Sequence, residues 1–260
     1  MNLPEDRMSG VHQTEYQVRP YEAGFGKTAL PSALLNYLQD AAFEHSISLG
    51  FSVFHLFPKG LTWVLSRYHV KILRYPLSGE PVGIQTWYPG PQKPFYLREW
   101  KISGEAGEDL VLATSSWLIV DLKTGRPADG DFILKNHPMT EKRALPDDFK
   151  PLPVPHREDI TKRFQVRISD TDLNRHVNHV QHVLWSLESV PEEYLSKRVP
   201  VEMEATYKGE IVFGHEVDVR TEVTQNGTCL HRLALYPGGN EVARVRTTWD
   251  IRKMETQVTP

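Results

Sequence analysis

The chain has one cysteine, Cys229, in 260 residues, so no intrachain disulfide can form and the composition fits a reducing compartment. An excess of one charge is missing too: the formal net charge is -3. That excludes the basic footprint expected of a nucleic-acid-binding surface, and no polybasic segment is present to hold an anionic membrane. No apolar run reaches the roughly 18 residues of a membrane span. The opening stretch from Met1 to Arg7 lacks the basic-then-apolar order of a secretory signal. Low-complexity tracts and coiled-coil repeats are absent as well. These absences together predict a soluble, cytoplasmic protein.

What is present is a repeated order of elements. A length of 260 residues suits two domains of about 100–150 residues, each able to bury its own core. Leu34, Leu35, Leu38, Ala41, Ala42 and His45 recur at helical spacing over 32–49, and Gly50 can end that helix. Runs rich in β-branched and aromatic residues follow at 62–73, 81–87, 95–102 and 110–120. The second half repeats this order, with a strand-like run at 161–168, a helix near 175–190, and runs at 201–207, 215–224, 228–236 and 241–251.

Local echoes support a duplication. The segment from Gly79 to Thr86 resembles that from Gly214 to Thr221, and Ser115-Ser116-Trp117 echoes Thr247-Thr248-Trp249. The expected fold class is α+β, with two tandem copies of a helix packed on an antiparallel β-sheet. Domains are expected at 11–130 and 159–260. Between them, 131–158 reads as a Pro-rich linker, since Pro138, Pro146, Pro151, Pro153 and Pro155 remove donors and block regular structure.

Only the second copy carries a concentrated polar group. Asp170, Asp172, Asn174 and His176 precede Val177, Val180, Val183, Leu184 and Leu187, which recur at helical spacing. A helix start directs free N–H groups and partial positive charge outward, which suits an oxygen that gains negative charge in a reaction. The plainer reading is that Asp172 or Asn174 caps the helix and His176 is an exposed first-turn residue. Further on, Glu210 stands among apolar and aromatic neighbours in 201–214 and is the carboxylate to pair with His176. Partial burial there would raise its pKa and make it a stronger base.

The Asp172-x-Asn174-x-His176-Val177-Asn178 pattern, the following Trp185-x-x-Glu188 and then Tyr207-Lys208-Gly209-Glu210 resemble the acyl-acyl-carrier-protein thioesterases of plants and bacteria. Thr62 to Tyr68, Arg74-Tyr75-Pro76, Gly79-Glu80 and Ala113 to Trp117 are similar to that family as well, so the likeness runs over about 21–251. The resemblance implies a double hotdog fold and hydrolysis of fatty acyl-acyl-carrier protein (acyl-ACP) to free fatty acid and holo-ACP, terminating fatty acid synthesis. It implies Asp172, Asn174, His176 and Glu210 as catalytic residues, with no metal and no organic cofactor. The first copy would supply the acyl slot, with Trp63, Leu38, Phe43 and Phe54 as candidates, although such residues at these spacings also make plain core. The implied partner is an acidic carrier protein, for which Lys142, Arg143, Arg157, Lys162, Arg163 and Arg175 are candidate contacts. A further homodimer is left open.

Departures from the family pattern narrow the chemistry. Ile211 stands where many plant members have Cys, so no cysteine nucleophile is available beside Glu210. His179 and His182 replace the family's Asn and Tyr. Asp170 also fits the Asp-x-Asp-x-x-x-His-Val-Asn pattern of hotdog acyl-CoA thioesterases, which keeps that substrate class as a rival, and a non-catalytic acyl-binding hotdog is a second. A hydratase ranks lower because Arg175-His176 stands where its pattern needs Pro-x-His. A zinc site on His176, His179 and His182 is disfavoured, since i+6 on a helix rotates away from i by about 240°.

Overall fold

The computed structural model describes residues 10–134 and 139–251. Pro138 of the expected linker and the last residues of the expected second domain, 252–260, lie outside them. The chain divides into two compact units, residues 10–22 with 29–150 and residues 23–28 with 151–251.

In the first unit, β1 (Val11–Gln17) is followed by α1 (Pro31–Ser48), α2 (Val53–Leu56), β2 (Leu61–Ile72), β3 (Pro81–Trp87), β4 (Pro91–Gln92), β5 (Phe95–Ser103), β6 (Asp109–Asp121) and α3 (Asp131–Leu134). The strands form an antiparallel sheet in the order β1-β3-β5-β6-β2, with β4 paired to β5. Helix α1 begins with Pro31 in its first turn, where the missing N–H costs nothing. It buries Leu34, Leu35, Leu38, Ala41 and His45 at three- and four-residue spacing. Gly50, at φ 74°, closes it by donating to the Ile47 carbonyl. Trp100 Nε1 donates to the Leu38 carbonyl at 2.8 Å, which ties β5 to the helix above it.

The second unit repeats this plan. Strand β7 (Ile160–Gln165) leads to α4 (His179–Glu188), α5 (Glu192–Lys197), β8 (Arg198–Tyr207), β9 (Glu216–Val223), β10 (Thr228–Tyr236) and β11 (Glu241–Ile251). The sheet order is β7-β9-β10-β11-β8, all antiparallel. Helix α4 buries Val180, His182, Val183, Trp185 and Leu187. The echoes read from sequence have the same geometry in both units. Trp117 Nε1 donates to Ser115 Oγ at 2.7 Å and Trp249 Nε1 to Thr247 Oγ1 at 2.8 Å. Tyr16 stacks on Tyr37 in one unit and Phe164 on Trp185 in the other.

The proline-rich connection is strapped down rather than free. Glu99, fully buried in β5, accepts hydrogen bonds from Arg143 Nε and from the Ala144 and Leu145 amides. Asp147 pairs with His69 at 2.7 Å. Further along, the Leu152 carbonyl accepts from Arg244 and the His156 amide donates to Glu222. Buried carboxylates thus satisfy backbone donors that prolines leave without ladder partners. No helix among the described residues is long and apolar enough to cross a membrane.

Candidate active site

A single tight turn before α4 builds the site. The short helical turn Ile168–Asp170 comes first, and the Asp170 carboxylate closes it by accepting from the Arg167 amide at 2.7 Å. The chain then doubles back: the Asp172 amide donates to the His176 carbonyl at 2.8 Å and the Arg175 amide to the Asp172 carbonyl at 3.0 Å. Arg175 takes the left-handed conformation at φ 63° to make this reversal. Asp172 Oδ1 accepts from the Asn174 amide at 2.7 Å. Asn178 then caps α4, its side-chain oxygen accepting from the Val180 amide at 2.9 Å. Neither Asp172 nor Asn174 caps the helix, and α4 starts at His179, later than the hydrophobic spacing predicts, because 172–177 is spent on the turn.

The turn is pinned to the loop after β8. The Val177 amide donates to the Ile211 carbonyl at 2.8 Å, and His176 pairs with Val212 in an isolated bridge. That register sets His176 Nε2 3.4 Å from Glu210 Oε2, the pairing read from the sequence. The expected burial of Glu210 is not seen: its side chain is 69% exposed and that of His176 36%. Asn174 Nδ2 lies 3.5 Å from Asp172 Oδ2, so Asp172 addresses the amide of Asn174. Asn174 Oδ1 is buried and, among the described residues, has no hydrogen-bond partner. Ile168, Leu173, Val212 and Phe213, which lie next to these residues in the chain, are exposed.

The segment before α1 makes the same turn without the chemistry. The Gly24 amide donates to the Thr28 carbonyl, the Lys27 amide donates to the Gly24 carbonyl, and Lys27 has φ 57°. The Ala29 amide donates to the Pro76 carbonyl as Val177 does to Ile211. Gly24, Gly26, Thr28 and Tyr75 therefore stand where the second unit has Asp172, Asn174, His176 and Glu210. Glu22 accepts from the Arg19 amide at 2.9 Å, the bond Asp170 makes with Arg167. A carboxylate at the Asp170 position thus belongs to the turn, since it persists where the other polar groups do not.

The remaining candidates separate by environment. Cys229 is buried in β10, where burial pushes its thiol up to about 12, so it offers no thiolate. Burial holds the His182 imidazole down to about 4, and hence neutral. In the first unit, Trp63 packs edge-on against Phe51 and Tyr96 and donates to the Phe51 carbonyl at 2.8 Å. Phe43 meets Phe54 edge to face, with Phe54 exposed, while Leu38 is fully buried under α1. Of the candidate docking cations, Arg143, Arg157 and Arg163 are paired with carboxylates and Lys162 donates to the Glu188 carbonyl. Lys142 and Arg175 are exposed and have no ion-pair partner among the described residues. Sequence reasoning quoted Asn178 without seeing its capping role, although an Asn two residues before Val180 signals it.

Comparison with known proteins agrees with this construction. Residues 9–130 match the acyl-ACP thioesterase N-terminal domain and residues 154–251 the acyl-ACP thioesterase C-terminal domain. The chloroplastic oleoyl-acyl carrier protein thioesterase of Coriandrum sativum is 31% identical over 291 residues, covering 95% of this chain and 78% of the relative. The chloroplastic palmitoyl-acyl carrier protein thioesterase of Cuphea hookeriana is 29% identical over 258 residues, covering 92% of this chain. The chain spans 62% of the length of that relative. Among solved structures, the 12:0-ACP thioesterase from Umbellularia californica superposes with a TM-score of 0.85 at 24% identity, covering 93% of this chain and 98% of the other. The fold is thus that of the double hotdog thioesterases, and with both domains matched in order over most of its length the chain belongs to the acyl-ACP thioesterase family.

Proposed function

We propose that this chain hydrolyses the thioester of fatty acyl-ACP, releasing free fatty acid and holo-ACP and so ending acyl chain growth. The observation that carries the proposal is the pairing of His176 with Glu210 beside an unpartnered Asn174 Oδ1. With its N–H₂ turned to Asp172, Asn174 offers an acceptor, and an acceptor holds an attacking water by one of its protons. Glu210 takes the other proton as that water adds to the thioester carbonyl carbon. The carbonyl π electrons move to oxygen, and the partial positive charge at the N-terminal end of α4 stabilises the resulting charge. The C–S bond then breaks, and the departing pantetheine thiolate takes a proton from His176, which is recharged through Glu210. Asp172 holds the turn and the Asn174 amide in register.

The acyl chain is assigned to the first unit, with Trp63, Leu38, Phe43 and Phe54 as its candidate contacts. The carrier protein is the preferred partner over coenzyme A, with Arg175, inside the catalytic turn, as its cationic contact. The assignment of Asp170 to turn closure supports this choice, because the acyl-CoA pattern depends on that residue for chemistry. Hydrolysis of a matched panel of acyl-ACPs and acyl-CoAs by the purified protein tests the reading. Faster turnover of the ACP series at equal chain length supports it; preference for CoA moves the chain to the sister activity, and hydrolysis of neither leaves an acyl-binding protein. Sedimentation of the same preparation decides whether a homodimer forms. Plant relatives are named chloroplastic, so the cytoplasmic placement expected from sequence is checked by fractionating cells that express the chain.

A further inference from the structure

The imidazole of His182 is not used by the proposed reaction, yet it is buried beside it. His182 lies one turn into α4 and is 4% exposed. Its Nδ1 is 3.3 Å from the Asn178 carbonyl, which can only accept, so Nδ1 carries the proton and donates. Nε2 is then a lone-pair acceptor, and among the described residues it has no partner. Side chains on a helix lean toward its N-terminus, so the ring lies back over the helix start that faces the reacting carbonyl. Its neighbour across the contact is Tyr207, ring centroids 5.4 Å apart, on the same segment that carries Glu210.

The first unit shows what packing alone demands at this place. Leu34 occupies the His182 position in α1 and Ile72 the Tyr207 position in β2, and both are buried. A helix-on-sheet core of this shape is therefore filled by aliphatic side chains where no chemistry is present. In the catalytic unit the same two positions are polar, and one of them keeps an unsatisfied acceptor, which costs stability. Asn174 Oδ1 is a second buried acceptor without a partner on the same stretch of chain. Asn174 Oδ1 is matched to the attacking water; His182 Nε2 calls for another O–H donor.

We propose that His182 accepts a hydrogen bond from a hydroxyl on the acyl chain close to the thioester, so that 3-hydroxyacyl thioesters are preferred over unsubstituted ones of equal length. A hydroxyl on carbon 3 is separated from the carbonyl by one methylene, which keeps it close to the thioester. A 3-keto group brings only acceptors and leaves Nε2 unpaired, so it gains nothing here. The inference rests on the thioesterase reading and adds the substrate's oxygenation to it.

The test compares kcat/KM on 3-hydroxyacyl and unsubstituted acyl thioesters of one chain length, carried on ACP, for the wild type, His182→Leu and His182→Gln. One neutral hydrogen bond is expected to favour the hydroxylated substrate by about tenfold in the wild type. His182→Leu, which introduces the side chain that the first unit carries at Leu34, removes that ratio, and His182→Gln, which keeps an acceptor, retains part of it. Equal ratios in the wild type and His182→Leu overturn the proposal. A readout independent of turnover accompanies it: the ¹⁵N resonance of His182 Nε2 is expected to shift on titration with a free 3-hydroxy fatty acid and not with the unsubstituted acid. If neither thioester is hydrolysed, the thioesterase reading fails, and the resonance alone decides the inference, no shift being its refutation.

Discussion

Replacing Asn174 by alanine should leave the protein as stable as before or more so while removing most of its activity. The Asn174 amide N–H is held by Asp172 Oδ1 at 2.7 Å, a backbone bond that alanine keeps. The side-chain Nδ2 reaches Asp172 only at 3.5 Å, a contact too long to contribute much. Against that small loss stands the buried, unpartnered Oδ1, and an unsatisfied buried acceptor costs about 1–3 kcal/mol. The equivalent turn before α1 forms with Gly26, and hence no side chain, at this place. The expected change is therefore a gain of about 1 kcal/mol in unfolding free energy, read as a higher urea midpoint with unchanged m-value. If Oδ1 holds the attacking water, kcat falls by about 10²–10³, the typical effect of losing one positioned polar group at a reacting centre. Loss of more than about 1 kcal/mol of stability with activity intact would show that Asn174 serves the turn rather than the reaction, and the mechanism would need another anchor for water.

Glu210→Gln should lower kcat by about 10²–10⁴ with stability changed by less than about 0.5 kcal/mol, because the side chain is exposed and its loss disturbs no core; steady-state hydrolysis and urea unfolding check both. Cys229→Ser should leave turnover intact, as measured by the same assay, since burial pushes the thiol up to about 12 and no nucleophile is removed. Acid should destabilise the fold through its buried imidazoles. His231 sits between Thr221 and Thr247, and burial holds it down to about 3. The unfolded chain therefore binds the proton first, so the contribution is intact above the ordinary histidine pKa near 6.5 and is lost as pH falls from there toward the folded value, at about 1.4 kcal/mol per pH unit. Urea unfolding at pH 7 and pH 5 should show the wild type losing about 2 kcal/mol relative to His231→Gln. Arg175→Glu should raise KM for acyl-ACP and not for acyl-CoA, with the effect shrinking as salt is added.

Much of this fold was legible because its signals are local and repeated. The 3.6-residue spacing of Leu34, Leu35, Leu38, Ala41 and His45 placed α1 within one residue of its observed ends. The Ser115–Trp117 and Thr247–Trp249 echo proved to be one hydrogen bond made twice. Strand β1 went unread, since Val11–Gln17 is a half-exposed edge strand without a clear run of apolar residues. In β5 the period-two pattern itself fails. Arg98 and Glu99 are adjacent, and both are buried. Arg98 lies 4.0 Å from the Tyr88 ring centre and donates to Thr86 and Ser46, while Glu99 receives donors from the linker. Ser46 and the linker donors lie far away in sequence, so no window around β5 predicts them.

The polar cluster of the candidate site was legible in the sequence but the part each residue plays in the turn was not, and the duplication separates the two. Sequence alone gives Asp170, Asp172, Asn174 and His176 as one polar cluster, in which any carboxylate could orient the imidazole. Once the turn before α1 is set beside it, the cluster falls into two classes. Glu22 repeats the backbone bond of Asp170, so that carboxylate is needed wherever the turn is made. Gly24, Lys27 and Thr28 make the remaining hydrogen bonds through their main chain, with glycine or threonine where the site has its polar groups, so Asp172, Asn174 and His176 are not needed to form the turn. Polar side chains that a fold does not require, one leaving a buried oxygen unpaired, lower stability in the free protein. The proposed bound state, in which that oxygen finds its donor, accounts for their presence, and the same reasoning, applied one helical turn further on, leads to the proposal for His182.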